Sequence, residues 1–341
     1  MRTAAKKSAN RTLFPGSITA ILSSPSDTVT LRRLDRLIWL STAAVATFVL
    51  LAALASNFFI VWRSFTVPAL ATAGLVGAAW FYRHIRPDLV LASALENTAQ
   101  LIAFAAVAAP LSYIVAAANL PLQDHLFATL DRALRLDWLA LLQWMDAFPA
   151  SHTLLRLTYF SLTVQTAIAI LSLAVTGKIL QLRIYLLSFV SATLITIAIS
   201  ALLPGAGAWP YYGLSADPHR INPVVTTSLP AFLCLRDGSC RELMALGAQG
   251  IIAFPSLHAA LAMILVLTLW PIPILRWIAL SLNSAMIAST PIDGSHHFID
   301  VLAGLAVGAL CFRAAYRMAA RIDHPKQIAD AAIAPGLDPS G

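Results

Sequence analysis

Three residues in the C-terminal third of the chain have types and a spacing that could carry out chemistry. His258 lies in "FPSLH", at the start of an apolar run, and His296 and Asp300 lie in "GSHHFID". An imidazole can act as a nucleophile or as a general acid and base. Because residues i and i+4 share a helical face, Asp300 can accept the N–H of the His296 ring and raise its basicity.

The two histidines are separated by a distance that suits a helical hairpin in a membrane. His296 follows His258 by 38 residues, and two crossings of about 20 residues each return a chain to its starting side. We therefore expect both imidazoles at the outer membrane surface, facing one another. One could attack phosphorus to form a phosphohistidine while the other protonates the departing alkoxide. A lone histidine is more typical of an interfacial residue, whereas the trio indicates function.

The composition excludes an ordinary soluble domain. Of the 341 residues, 59% are hydrophobic and 11% are charged, against about 25% charged residues in a soluble protein. The net charge of +7 does not indicate a nucleic-acid partner, because the basic residues cluster at the N-terminus and between apolar runs. That distribution is typical of membrane topology. We predict an all-α, polytopic transmembrane helix bundle.

Eight apolar runs are candidates for membrane-spanning helices. They lie near residues 37–62, 67–82, 98–118, 153–176, 180–203, 252–270, 274–290 and 298–318. The first run is too long for the core of a signal peptide and is interpreted as a retained anchor. Most of the Lys and Arg residues fall in alternate segments between the runs, which predicts that both termini are inside.

Two segments outside the apolar runs contain residues that predict local structure, a helix in one and a disulfide in the other. Residues 120–150 keep helical periodicity but contain aspartates, arginines, Trp138 and Trp144. This mixture suits a helix in the outer interface with both tryptophans at headgroup level, and it suits equally a connector that packs on the bundle. In the outer loop, Cys234 and Cys240 can form a small disulfide, whereas on the cytoplasmic side they would be free thiols.

Two motifs resemble a known family of membrane enzymes. "FPSLH" and "GSHHFIDVLAG" resemble the second and third signature motifs of the type-2 phosphatidic acid phosphatase superfamily. The doubled histidine is similar to the branch that includes inositol phosphorylceramide synthases. The resemblance implies that His296 is the nucleophile, Asp300 its partner and His258 the general acid, with no metal or other cofactor. His297 is expected to point away from the face of His296.

The resemblance also implies a division of the chain. We predict a cytoplasmic tail over residues 1–35, two N-terminal transmembrane helices over 36–88, and a second tail over 319–341. Residues 89–318 would form a six-helix catalytic membrane domain.

The phosphate-binding cations of the family are absent from their usual places. No lysine precedes Arg86-Pro87 at the spacing of the first motif, and Thr290 follows Ser289 where the third motif has an arginine. A phosphoryl transition state needs such groups, and their loss favours a substrate with less negative charge, such as a phosphodiester.

Other residues could hold the phosphate instead. Arg156 begins a span near the outer surface, and Arg220 lies in the long outer loop. The hydroxyls of Ser256 and Thr290 could donate hydrogen bonds to phosphate oxygens, and Tyr211 could line the cleft.

These observations predict a lipid phosphotransferase or lipid phosphate phosphatase acting at the outer face of a membrane, with headgroup transfer favoured. Its partners would be membrane lipids, a lipid-linked phosphate substrate, and water or an alcohol as acceptor. The alternatives are a simple phosphatase of phosphatidic acid or polyprenyl (di)phosphate, and a proton-coupled transporter using the His/Asp cluster. The alanine-rich chain is interpreted as bacterial, placing the protein in the inner membrane with its active site toward the periplasm.

Overall fold

The computed structural model describes residues 25–214, 221 and 223–333, and this part of the chain is all-α apart from one pair of two-residue strands. Thirteen helices occur in it: α1 (Pro25–Ala55), α2 (Trp62–His84), α3 (Leu89–Ala116), α4 (Asp124–Ala133), α5 (Trp138–Ala147), α6 (Pro149–Phe160), α7 (Leu162–Val175), α8 (Ile179–Leu202), α9 (Ala208–Tyr211), α10 (Val225–Asp237), α11 (Leu257–Leu269), α12 (Pro273–Asp293) and α13 (Phe298–Ile333). The strands, β1 (Phe59–Ile60) and β2 (Glu242–Leu243), pair in parallel.

Helix α8 is the centre of the bundle. It packs against α1, α3, α7, α11 and α13, and most of its side chains are buried. A helix that is apolar around its whole circumference is expected to be buried in this way. Its Ser188 and Thr193 donate hydrogen bonds to the carbonyls of Ile184 and Phe189. These hydroxyls are therefore satisfied within the helix and do not oppose its burial.

Two glycines allow α13 to pack closely against α11. A Cβ atom on Gly304 would lie 2.2 Å from the carbonyl oxygen of Ser256, and one on Gly308 would lie 2.3 Å from that of Ala260. Small residues four positions apart are a common contact between membrane helices. The close approach lets the backbone N–H of Ser256 donate to the carbonyl of Asp300 at 3.0 Å. The two histidine motifs are thus joined through their backbones.

The chain is a multi-pass membrane protein, but the prediction of eight spans is not confirmed. Within the described residues, five helices are long and apolar enough to cross a membrane, namely α1, α2, α3, α8 and α13. The pair α6 and α7, bent by 49°, makes a sixth if it counts as one span. Helices α11 and α12 occupy the predicted runs 252–270 and 274–290. With 13 residues, α11 extends about 20 Å, which is less than the hydrocarbon thickness of about 30 Å.

The segment 120–150 packs on the bundle, which agrees with the expectation of a packed connector. In α4 and α5, Phe127 and Trp138 are 1% exposed. The expectation that Trp138 lies at headgroup level is wrong, because its indole is enclosed and hydrogen-bonded inside the protein. Trp144 is 46% exposed, so it alone of the two tryptophans is accessible from outside.

A disulfide joins the C-terminal end of α10 to the loop that follows. It links Cys234 to Cys240, whose Cα atoms are 5.1 Å apart. Cys311 is buried in α13 as a free thiol.

Candidate active site

His296 lies just before α13, between a carboxylate and a hydroxyl. Its Nδ1 atom is 3.5 Å from an Asp300 carboxylate oxygen, and its Nε2 atom is 3.3 Å from the hydroxyl oxygen of Ser256. The His296 ring is 4% exposed, and Asp300 and Ser256 are fully buried. A proton on Nδ1 would face the carboxylate, and the lone pair of Nε2 would then face the Ser256 hydroxyl. The structure therefore brings together three of the predicted site residues in the geometry of an oriented nucleophile.

His258, in the first turn of α11, shares a cavity with His296. The cavity has a volume of about 710 Å³, within the range of small-molecule sites. The ring of His258 stacks on that of Tyr159, with 4.2 Å between centroids and 13° between planes. The hairpin that the 38-residue spacing predicted is formed by α11 and α12, and it returns the chain to the same cavity.

The rest of the cavity wall, as far as the described residues show it, is mostly apolar and carries no charged side chain. Helices α3, α6, α7, α8 and α10 contribute to it, together with the loop at residues 248–253. Among the described residues that line it there is no Lys or Arg, and the two imidazoles are its only ionisable groups besides the Tyr159 phenol.

Asp131 and Trp138 fix the segment that carries His296. The two carboxylate oxygens of Asp131 accept the backbone N–H groups of Phe298 and Ile299, at 2.9 and 2.8 Å. These N–H groups open α13 and have no partner within the helix. The indole N–H of Trp138 donates to the carbonyls of Pro291 and His296. The segment 120–150 is thus a support for the site.

A tight loop supports the same segment from the other side. Asp124 accepts hydrogen bonds from the N–H groups of Ala206 and Gly207, and Ala208 donates to the carbonyl of Ser295. Gly207 has a φ of +101°, and a Cβ atom on it would lie 2.5 Å from the Ser295 carbonyl oxygen. Only glycine fits there, on both counts.

His297 points away from the catalytic face, as expected, and lies between two carboxylates. Its Nε2 atom is 3.5 Å from Asp124 and its Nδ1 atom is 3.7 Å from Asp131. Burial lowers the pKa of His297, but the bonds to Asp124 and Asp131 outweigh this and raise it to about 9. A protonated His297 therefore joins α4 to the start of α13. The second histidine of the doubled motif His296-His297 thus has a structural role.

The structure places the other predicted binding residues away from the cavity. The Thr290 hydroxyl donates to the carbonyl of Met286 within α12, and Tyr211 packs edge-on against His297 at 5.6 Å. The Arg156 guanidinium lies over Phe160 and its charge acts on Asp293. None of the three lines the cavity. Arg220 lies outside the described residues.

Sequence reasoning missed several buried polar groups beside the site. The spacing of Asp124 and Asp131, seven residues or about two helical turns apart, puts them on one face of α4 and could have indicated a common role. No sequence signal marks the pair formed by His152 Nε2 and Asp293 Oδ1, 3.1 Å apart, because its members come from distant segments.

Comparison with known proteins gives one match. The family model described as the PAP2 superfamily matches residues 125–314, which is more than half of the chain. The matched range contains both histidine motifs, α13 as far as residue 314 and most of the supporting segment. No curated protein and no solved structure matches the chain significantly.

Proposed function

Because the chain belongs to the PAP2 superfamily, whose members are phosphatases, we propose that it is an integral-membrane lipid phosphotransferase or lipid phosphate phosphatase acting through a phosphohistidine. Headgroup transfer is the favoured activity. The observation that carries the proposal is the shared cavity: two imidazoles from distant motifs line one largely apolar space of about 710 Å³, and none of the described residues around it is a Lys or Arg.

In the first step, Nε2 of His296 attacks phosphorus and the bond to the lipid or headgroup oxygen breaks. Burial and the nearby His296 lower the pKa of His258 to about 3, so His258 takes up its proton when the anionic phosphate binds beside it. It then gives this proton to the departing oxygen. The ring of His296 becomes positively charged as the P–N bond forms, and the Asp300 carboxylate, 3.5 Å from Nδ1, stabilises this charge. The Ser256 hydroxyl, 3.3 Å from Nε2, can donate to a phosphate oxygen once Nε2 is bonded.

In the second step, an acceptor hydroxyl attacks the phosphohistidine. His258, now neutral, takes the acceptor's proton as the new P–O bond forms and the P–N bond breaks. The enzyme returns to its starting protonation state, with water giving hydrolysis and an alcohol giving transfer. The cavity favours transfer because its apolar wall holds a lipid alcohol better than water.

The described residues that line the cavity include no Lys or Arg, and this bears on the charge of the substrate. A phosphomonoester dianion in a space of low polarity needs cations or several strong donors. A phosphodiester carries a single charge and needs fewer. We infer a phosphodiester lipid as donor, in line with the similarity of the doubled histidine to the inositol phosphorylceramide synthase branch. The site would face the periplasm of a bacterial inner membrane, and the mechanism calls for no metal.

The test is mass spectrometry of total membrane lipids from cells producing wild type or His296→Ala at equal levels. A lipid that gains a phospho-headgroup only with wild type supports transfer, and its mass identifies the group. Depletion of phosphorylated lipids with a rise in dephosphorylated ones identifies a phosphatase instead. Wild-type lipid changes that persist in His296→Ala would refute the histidine mechanism.

A proton-coupled transporter is the second candidate, and two observations favour it. Buried polar side chains continue into the bundle, where Asn283 donates to Gln165 at 2.8 Å, and α6 and α7 are bent by 49° at their junction. Purified protein in liposomes separates the two functions. A transporter acidifies or alkalises the lumen without changing lipid masses, whereas the enzyme changes lipid masses.

A further inference from the structure

Tyr159 is a buried polar residue in the cavity wall to which the two-step mechanism assigns no part. It lies at the C-terminal end of α6 and is 5% exposed. Its ring covers one face of His258 at 4.2 Å. Within the described part of the chain, no group forms a hydrogen bond with its hydroxyl. A buried, unpaired hydroxyl is costly, so one that faces a cavity is expected to meet a ligand.

The hydroxyl is aimed at the space between the two histidines. A Cβ atom on Gly294 would lie 3.0 Å from the Tyr159 hydroxyl oxygen and 2.6 Å from Cδ2 of His296. The phenol and the edge of the nucleophile's ring therefore flank the same small space. The carbonyl oxygen of Thr290 lies 2.8 Å from the same position, so residue 294 has no room for a side chain there. Gly294 itself lines the cavity, as do Tyr159 and His296.

From this geometry we propose that Tyr159 is a substrate-binding residue that donates a hydrogen bond to a non-bridging phosphate oxygen. It supplies a neutral donor in a wall whose described residues include no Lys or Arg, and its ring holds the plane of His258. The inference rests on the proposed phosphoryl chemistry, and it adds a preference for phosphodiester over phosphomonoester substrates. A single neutral donor matches the one charge of a phosphodiester better than the two charges of a monoester.

The probe is orthovanadate, which imitates a phosphoryl group bonded to a nucleophile. Its dissociation constant is measured on full-length protein in detergent for wild type and four variants. Tyr159→Phe removes the hydroxyl and keeps the stacked ring, and Tyr159→Leu removes both. Tyr185→Phe is the matched control, because that buried phenol donates to Thr166 and does not line the cavity. His296→Ala tests the underlying chemistry.

A hydrogen bond to a charged group contributes about 1.5–3 kcal/mol, or roughly 10- to 100-fold in binding. We expect Tyr159→Phe to weaken vanadate binding by about that factor with an unchanged melting temperature, and Tyr185→Phe to bind like wild type. Tyr159→Leu should lose more and should also shift the pH profile of turnover, since His258 loses its stacked partner.

The outcomes separate the two proposals. If His296→Ala abolishes vanadate binding while Tyr159→Phe binds like wild type, Tyr159 is not a phosphate ligand and the phosphoryl mechanism stands. If His296→Ala binds vanadate and turns over lipid as wild type does, the proposed function fails and the part assigned to Tyr159 fails with it. Equal weakening by Tyr159→Phe and Tyr185→Phe would mean a general loss of packing, and it would also overturn the assignment.

Discussion

Two buried polar clusters lie at opposite ends of α8, and they differ in what their charges face. At its N-terminal end, Arg183 is 2% exposed and lies 2.7 Å from Asp35 and 3.4 Å from Glu96. Glu96 also pairs with Arg83. Beyond its C-terminal end, His296 and His258 face an open cavity. About 36 Å separate the ends of a 24-residue helix.

The difference lies in how the ionisable groups are satisfied. The guanidinium of Arg183 has carboxylates from α1 and α3 beside it, and Gln100 adds a hydrogen bond to Asp35. This arrangement neutralises its own charge and joins three helices, so it is structural. In the histidine cluster both imidazoles line a cavity of about 710 Å³. A largely apolar cavity with a few polar groups on its wall is typical of a ligand site, which is why this cluster indicates a site.

The largest effect is expected at the histidine end, from Asp300→Asn. Asparagine keeps an acceptor for the N–H of His297, which Asp300 now accepts at 2.8 Å, but it removes the negative charge beside His296 Nδ1. Turnover should fall by about 10³- to 10⁴-fold, as for other histidines that lose an orienting carboxylate. Lipid turnover per folded molecule measures it, with the melting temperature as control. A loss below tenfold would exclude an orienting part for Asp300.

At the N-terminal end of α8, Arg183→Leu should lower the free energy of unfolding and leave turnover intact. Removing one partner of a buried ion pair costs about 3–5 kcal/mol, because the remaining charges lose their partner. Unfolding by denaturant and turnover per folded molecule are measured together. Leucine at Arg183, Asp35 and Glu96 at once should recover much of the stability, since no buried charge is then left unpaired and Arg83, which loses Glu96, is 42% exposed. A catalytic defect in the folded single variant would contradict the comparison.

A smaller effect is expected from Asp131→Ala, which removes the carboxylate that holds the start of α13 beside the site. The N–H groups of Phe298 and Ile299 lose their acceptor, and a lost helix cap costs about 0.5–2 kcal/mol. The melting temperature should fall, and turnover should fall with it because His296 is less firmly placed. Thr129→Ala, on the exposed side of the same helix, is the matched control. Equal effects of the two substitutions would show that Asp131 does not support the site.

The last expected effect is the pH dependence contributed by His297. Its pKa is raised to about 9 in the folded protein, against about 6.5 in an unfolded chain. The proton on His297 therefore stabilises the folded protein fully below pH 6.5, and this contribution is lost as the pH rises through 9. The melting temperature of wild type should therefore fall more between pH 6.5 and 9 than that of His297→Gln. Parallel curves would show that His297 is not charged.

The helices and the proximity of His258, His296 and Asp300 could be predicted from the sequence because both depend on local or periodic patterns. Each apolar run that was predicted contains a helix, and the superfamily resemblance carried by "FPSLH" and "GSHHFIDVLAG" is confirmed. The number of spans was predicted less well, since α11 is apolar but only 13 residues long. Hydropathy measures composition, whereas a crossing also requires length.

The sequence by itself determined that this is a helical membrane protein and that His258, His296 and Asp300 can meet, whereas the superfamily was named from the resemblance of its two histidine motifs. Apolar periodicity and a hairpin-length spacing act along the chain and need no other information. Only the tertiary structure decided that Asp131 and Trp138 support the site, that Arg156 stands away from the cavity, and that Tyr159 covers His258. Those contacts join segments far apart in sequence, and their partners are chosen by packing, which a one-dimensional pattern does not encode.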